Sequence, residues 1–270
     1  MWGGLVAATQ AVVDFLVDER CHACQRLVGA MAMLALPCDG ASAALATPVR
    51  IGSTRIGIDT HPLCRVCCHA LVPGREPITI ARARTDGSIT LASGGVLPNA
   101  GAGAPVLAVW PAFATDDRLL TVIHAFKFSR HERLAPWLAR ALASGLSARA
   151  LVANAILVPV PISRGSLRRR GFNQAERLAT SLSALTKIPT ERRALVKTRA
   201  TAAQSTLDGA ARVRNVAGAM AVVAPERIAG RHVVLVDDLV TTGATAAACA
   251  SALWRAGASE VRVVCVGYRP

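Results

Sequence analysis

Two adjacent carboxylates, Asp237 and Asp238, are followed closely by Thr241, Thr242, Gly243, Ala244 and Thr245. Residues of these types in this order can hold a phosphorylated sugar. A glycine removes the Cβ that would block an incoming phosphate, and hydroxyls add donors. The acids can take sugar hydroxyls, or a Mg²⁺ that travels with a phosphate. The run belongs at a strand-to-helix junction. Residues 233–236 are apolar and mostly β-branched, which reads as a buried strand closed by the two acids, and residues 246–255 read as a helix. The first N–H groups of a helix have no acceptor within it and lie at the positive end of its dipole, so an anion fits there. The plainer alternative is a β–α turn with an aspartate cap. The acid pair, the hydroxyls and the glycine, taken in order, favour the phosphate.

A second charged group precedes another helix. Arg164, Arg168, Arg169 and Arg170 stand ahead of a helix expected from 175 to about 185, with Asn173 as its N-cap. A forked guanidinium suits a diphosphate; the competing partner is a nucleic-acid backbone. Lys197 and Arg199 open a polar, aperiodic stretch that reads as a mobile loop able to close over a ligand. Residues 161–215 hold twelve Lys or Arg against three Asp or Glu, +9 of the chain's +14. That balance points to polyanionic partners, while Phe172, the one aromatic in the segment, argues against a stacking platform for single strands.

Cysteines form the third group. Cys21 and Cys24 make one C-x-x-C knuckle, Cys64 and Cys67 a second, with 39 residues between them. Two such knuckles suit one tetrahedral Zn²⁺ held by four thiolates. Thiols without metal are the alternative. Cys38, Cys68, His22, His61 and His69 are surplus, and Cys249 and Cys265 lie in apolar runs as core thiols.

The elements that must position these groups follow from periodicity. Residues 5–19 fit an amphipathic helix whose apolar run is too short to span a bilayer and lacks a positive leader, so a cytoplasmic protein with reduced thiols is expected. Residues 73–108 are rich in Gly, Ala and Pro and read as a linker or loose hairpin. Strands are expected at 107–113, 155–161, 219–224 and 260–267, and helices at 116–127, 134–148 and 208–215. His124 reads as a partly buried helix residue.

Several of these runs resemble one family, the competence protein ComF family with its GntX-like members. They are the N-terminal helix, the two knuckles, His124-Ala125-Phe126-Lys127-Phe128, Val158-Pro159-Val160-Pro161, Arg169-Arg170-Gly171-Phe172-Asn173-Gln174, Arg199-Ala200-Thr201 with Gln204, Arg212 and Asn215, and the run from Val233 to Thr245. That last run resembles the 5-phosphoribosyl-1-diphosphate (PRPP) signature of type I phosphoribosyltransferases. The resemblance implies an α/β domain over 109–270, with a mainly parallel sheet flanked by helices. Ahead of it come a helix (1–18), a zinc-ribbon-like module (19–72) and a linker (73–108). It implies PRPP and Mg²⁺ at Asp237, Asp238 and residues 241–245, with the diphosphate facing Arg164, Arg168, Arg169, Arg170, Lys197 and Arg199. A phosphoribosyl group would pass to an unidentified nitrogen acceptor. A role in DNA uptake is also implied, with DNA or a competence helicase as partner, as is the alternative of a non-catalytic PRPP sensor or adaptor. Some relatives carry further cysteine pairs; this chain has none between Cys68 and Cys249, which leaves one zinc site.

Overall fold

In the computed structural model the described residues are 71–97 apart from 72, 75–76, 85, 87 and 95, then 106–128, 132, 134–146, 154–199 and 215–269. The four cysteines of the knuckles, the 5–19 helix and most of the 208–215 helix lie outside them.

Three apolar runs form the parallel centre of the sheet. They are β5 (Ala155–Pro159), β8 (His232–Val240) and β9 (Glu260–Tyr268), with β8 between the other two. Strand β4 (Leu107–Ala114) pairs parallel to β9 on its far side. Residues along β8 alternate between two cores, as a strand's period of two requires. Val233 and Leu235 face one cluster, Val234 and Val236 the other. The second cluster is built by α1 (Asp117–Phe128), α2 (Leu134–Leu146) and α4 (Gln174–Thr186). The first is covered by α5 (Ala244–Arg255) and by an antiparallel pair, β6 (Leu195–Lys197) and β7 (Met220–Val222). Half of helix α5 is alanine, so its backbone can lie close to the sheet, and nine of its residues are buried.

Residues 73–108 are not simply a linker. They carry β1 (Ile78–Ala83), β2 (Ile89–Leu91) and β3 (Val96–Leu97), an antiparallel meander that joins the sheet through β1 and β4. Its Ile80, Ile89, Leu91 and Leu97 are fully buried, so the small-residue composition disguised a strand set whose apolar residues are few but all used. A second departure is α3 (Arg164–Arg170), a short helix where the sequence reads as a loop. It buries no residue, so it leaves no hydrophobic periodicity to detect.

Candidate ribose-phosphate site

Strand β8 runs further than its apolar residues indicate. Asp237 and Asp238 lie inside it rather than beyond its end, and Asp237 pairs with Cys265 of β9. Their side chains therefore leave opposite faces of the sheet. Asp237 is half-buried and lines an open hollow with Thr241, Gly243, Ala244 and Thr245. Its Oδ1 accepts the Asp238 N–H at 2.8 Å. Asp238 is only 5% exposed, and its Oδ1 lies 3.0 Å from Lys127 Nζ on α1.

Helix α5 begins at Ala244, two residues earlier than its sequence suggests. Its N-cap is Gly243, held at φ 77, and no side chain caps it. Thr242 Oγ1 reaches the Ala244 N–H only at 3.4 Å. The first turn thus opens toward the hollow from a glycine N-cap that carries no capping side chain, an arrangement compatible with an anion at the helix start. Thr242 itself is turned inward, 9% exposed, and its carbonyl accepts the Ser93 hydroxyl at 2.8 Å. A Cβ on Gly243 would sit 2.9 Å from Ile80 Cδ1 and 3.2 Å from its Cβ. The meander therefore props the turn ahead of α5 from behind. Neither Ser93 nor Ile80 is legible as a site residue in sequence, because both belong to the apparent linker.

Burial first, and then the Asp238 carboxylate, raise Asp237 from 3.8 to about 7, against the pull of Lys127, the Asp238 N–H and Arg170. A cation or a pair of sugar hydroxyls placed in the hollow would relieve this penalty by stabilising the ionised form. Mg²⁺ and a ribose hydroxyl both fit Asp237 on that ground.

The arginines separate into two groups. Arg164, Arg168 and Arg169 are exposed on α3. Arg170 folds back: its Nη1 donates to Gln174 Oε1 at 3.1 Å, and its guanidinium lies 5.2 Å from the centroid of the Phe128 ring. The Arg170 Nε is buried with no hydrogen-bond partner among the described residues. Arg199 is spent on the Ala217 carbonyl, at 2.9 Å. Lys197 ends β6, half-buried, with its pKa pushed down first by that burial. Lys197 and Asp237 both act electrostatically on the Cys249 thiol of α5, which burial pushes far up. Leu195, two residues earlier on β6, packs in the same core as Val233 and Leu235, which puts Lys197 on the same side of the sheet as Asp237. Residues 200–214, which the sequence reads in part as a mobile loop, lie outside the described residues.

Cys249 and Cys265 are fully buried, as expected of core thiols. His124 is in α1 as expected but exposed, with its ring 4.7 Å from that of Phe128. Lys127 and Gln174 were the residues missed. Lys127 is a lysine in the last turn of a helix, a place where solvation is the ordinary role. Gln174 follows an N-cap and is 1% exposed.

Residues 160–270 match the phosphoribosyl transferase domain. The chain is 40% identical over 152 residues to DNA utilization protein YhgH of Escherichia coli strain K12, covering 55% of this chain and 66% of that protein. It is 32% identical over 108 residues to Competence protein F of Haemophilus influenzae, covering 40% of this chain and 47% of that one. A glutamine PRPP amidotransferase structure from B. subtilis overlaps 66% of this chain and 35% of its own at 19% identity and a TM-score of 0.37, too loose to bear on the site. The similarity thus takes in 66% of one curated relative's length and 47% of the other's, and the family model begins just ahead of the arginine-bearing segment and ends past β9.

Proposed function

The chain belongs to the ComF-like family and carries a type I phosphoribosyltransferase-like domain, and on that premise we propose that it binds PRPP with Mg²⁺ at the junction of β8 and α5. The observation that carries this reading is the glycine-capped start of α5, which opens into the same hollow as the Asp237 carboxylate. The 5-phosphate would accept from the first turn of α5 and from Thr241 and Thr245. Asp237 would hold ribose hydroxyls. Arg170, with Arg164, Arg168, Arg169 and Lys197, would face the diphosphate.

The chemistry such a site supports is displacement at ribose C1. A nitrogen lone pair of the acceptor forms the new bond, and the C1–O bond to diphosphate breaks with its electron pair leaving on oxygen. Little acid–base help is needed. The protein's task is to hold the sugar rigid as it gains oxocarbenium character and to stabilise charge on the leaving group. Mg²⁺ travelling with the diphosphate would neutralise part of that charge. No catalytic residue is assigned, and the acceptor is left as a nitrogen nucleophile.

Isothermal titration with PRPP and Mg²⁺ tests the site. Wild type is expected to bind, and Asp237→Ala with Asp238→Ala to lose binding. Wild type that fails to bind sinks the reading. Diphosphate release with a panel of bases then separates enzyme from sensor.

A second reading, a DNA- or helicase-binding adaptor for DNA utilization, draws on the three arginines exposed on α3, which buries none of its residues. Salt-dependent DNA binding that survives the double aspartate substitution supports it. For the N-terminal module we propose one structural Zn²⁺ on Cys21, Cys24, Cys64 and Cys67, a donor set that suits the metal. Metal analysis of the folded chain is expected to give about one equivalent; none removes the proposal.

A further inference from the structure

Asp237 and Asp238 are neighbours in sequence but not in environment. Asp237 lines the hollow, whereas Asp238 faces α1, almost entirely buried against Lys127 Nζ at 3.0 Å. A carboxylate so enclosed stays ionised at low cost only if a cation and good geometry accompany it. Lys127 supplies the cation. Its own position is fixed from a different direction, since its main-chain carbonyl accepts from Gln174 Nε2 at 3.3 Å. The other end of that buried amide, Oε1, accepts from Arg170 Nη1 at 3.1 Å. Arg170 in turn lies over Phe128, the residue after Lys127. A chain of contacts therefore runs from Asp238 on β8, through the end of α1 and the start of α4, to the last residue of α3.

We propose that Lys127 is the positioning residue of the ribose-phosphate site: it holds Asp238 against α1, leaves Asp237 as the carboxylate turned to the sugar, and through Gln174 fixes Arg170 relative to both. The inference rests on the PRPP reading above and adds a division of labour between the two acids. Lys127 does not touch the ligand. It acts through Asp238 and through its backbone carbonyl.

The test uses the full chain and two probes, PRPP with Mg²⁺ and inorganic phosphate alone, by calorimetry. Lys127→Met leaves the buried Asp238 carboxylate without its cation, and the end of β8 that presents Asp237 to the hollow loses its anchor on α1. PRPP affinity is expected to fall at least tenfold, while phosphate, which needs only the start of α5, stays within about twofold. Lys127→Arg is expected to recover most of the loss. Lys127→Met with Asp238→Asn, which removes the stray charge, is expected to bind PRPP better than Lys127→Met alone, and it carries the test if the single variant fails to fold. Lys127→Met that binds PRPP like wild type overturns the inference and leaves the PRPP reading standing. An equal loss for both probes also overturns it, because general damage to the fold would then be the cause. Wild type that binds phosphate but not PRPP overturns the ribose-phosphate reading, and this inference with it.

Discussion

Two strand-to-helix junctions lie on neighbouring parallel strands, β8 leading to α5 and β5 leading to α3, and they are secured by opposite means. Packing holds the acidic junction. Nine residues of α5 are buried, no side chain caps its start, and the glycine there is wedged against Ile80 of the meander. Local hydrogen bonds hold the basic one. Ser163 Oγ accepts the Ser166 N–H at 3.1 Å, Gly171 closes the helix in the left-handed region with its N–H on the Leu167 carbonyl at 2.8 Å, and nothing on α3 is buried. Asn173 joins the two modes: its Oδ1 caps α4 and its Nδ2 donates to the Val160 carbonyl. Geometry fixed by burial is exact and intolerant of substitution. Geometry fixed by caps and charge can be altered at low cost to the fold, which suits a surface that must adapt to a large anion.

The two capping glycines give the sharpest contrast. Both have positive φ, 77 at Gly243 and 84 at Gly171. A Cβ at Gly171 meets nothing within 4 Å, whereas one at Gly243 collides with Ile80. Gly243→Ala should cost about 3 kcal/mol, combining left-handed strain with overpacking, and abolish PRPP binding. Gly171→Ala should cost about 1 kcal/mol from strain alone and leave binding measurable. Denaturant unfolding and calorimetry on both variants check this. Equal costs would break the distinction between a packed and a capped junction.

A pH series probes the acidic junction next. The folded chain raises Asp237 from 3.8 to about 7, chiefly by burial. Folded protein then holds this proton more tightly than the unfolded chain. The contribution to stability is full below the unfolded pKa and is lost as pH rises through about 7. Asp237→Asn should therefore flatten the fall in stability between about pH 4 and pH 7, by about 1–2 kcal/mol once partial exposure is allowed for. Urea midpoints across that range, wild type against variant, give the comparison. Parallel curves would mean that Asp237 is far better solvated than its place in the hollow indicates.

The same contrast explains what could be read from sequence. Burial leaves a record in the pattern of residues, so β5, β8, β9, α1, α2 and α4 lie within a few residues of where periodicity puts them. The junction at 237–245 was legible because its chemistry needs unusual types in a fixed order. Two kinds of feature were not. Helix α3 is invisible because it is made by caps on a segment that buries nothing. The meander is hidden because Ile80, Ile89, Leu91 and Leu97 are spread thinly among Gly, Ala and Pro. Which way each acid faces follows only once β8 is known to run on through both of them, and no local signal says so. Pairings across the chain, Lys127 with Asp238 and Ser93 with Thr242, are tertiary by nature.

At the basic junction the cap can be removed without touching a charge. Ser163→Ala should cost about 1 kcal/mol locally. Because α3 buries no residue, the loss is expected as fraying of that helix rather than as a shift of the global unfolding midpoint. Hydrogen exchange at Leu167 and Gly171, whose amides close the helix onto Ser163 and Leu167, should quicken while amides of β8 stay protected. A matching rise in β8 exchange would show that the two junctions open together.

The smallest effect on stability and the most informative one on function belong to the outward arginines. Arg164, Arg168 and Arg169 are exposed, and their joint replacement by alanine should move stability by no more than about 0.5 kcal/mol. If they face the diphosphate, PRPP affinity falls while binding of ribose 5-phosphate, which lacks that group, is spared. If they serve a DNA strand instead, PRPP binding is unchanged, and the salt dependence of single-strand binding shallows by about 0.7 in log–log slope for each phosphate no longer neutralised. The two outcomes can be told apart because Arg170 is folded back beside Gln174 and Phe128, so the three outer side chains can be removed with the inner one in place. Loss of both activities would assign the whole of α3 to one anion surface, and the division between an inner, fixed arginine and an outer, adaptable set would have to be abandoned.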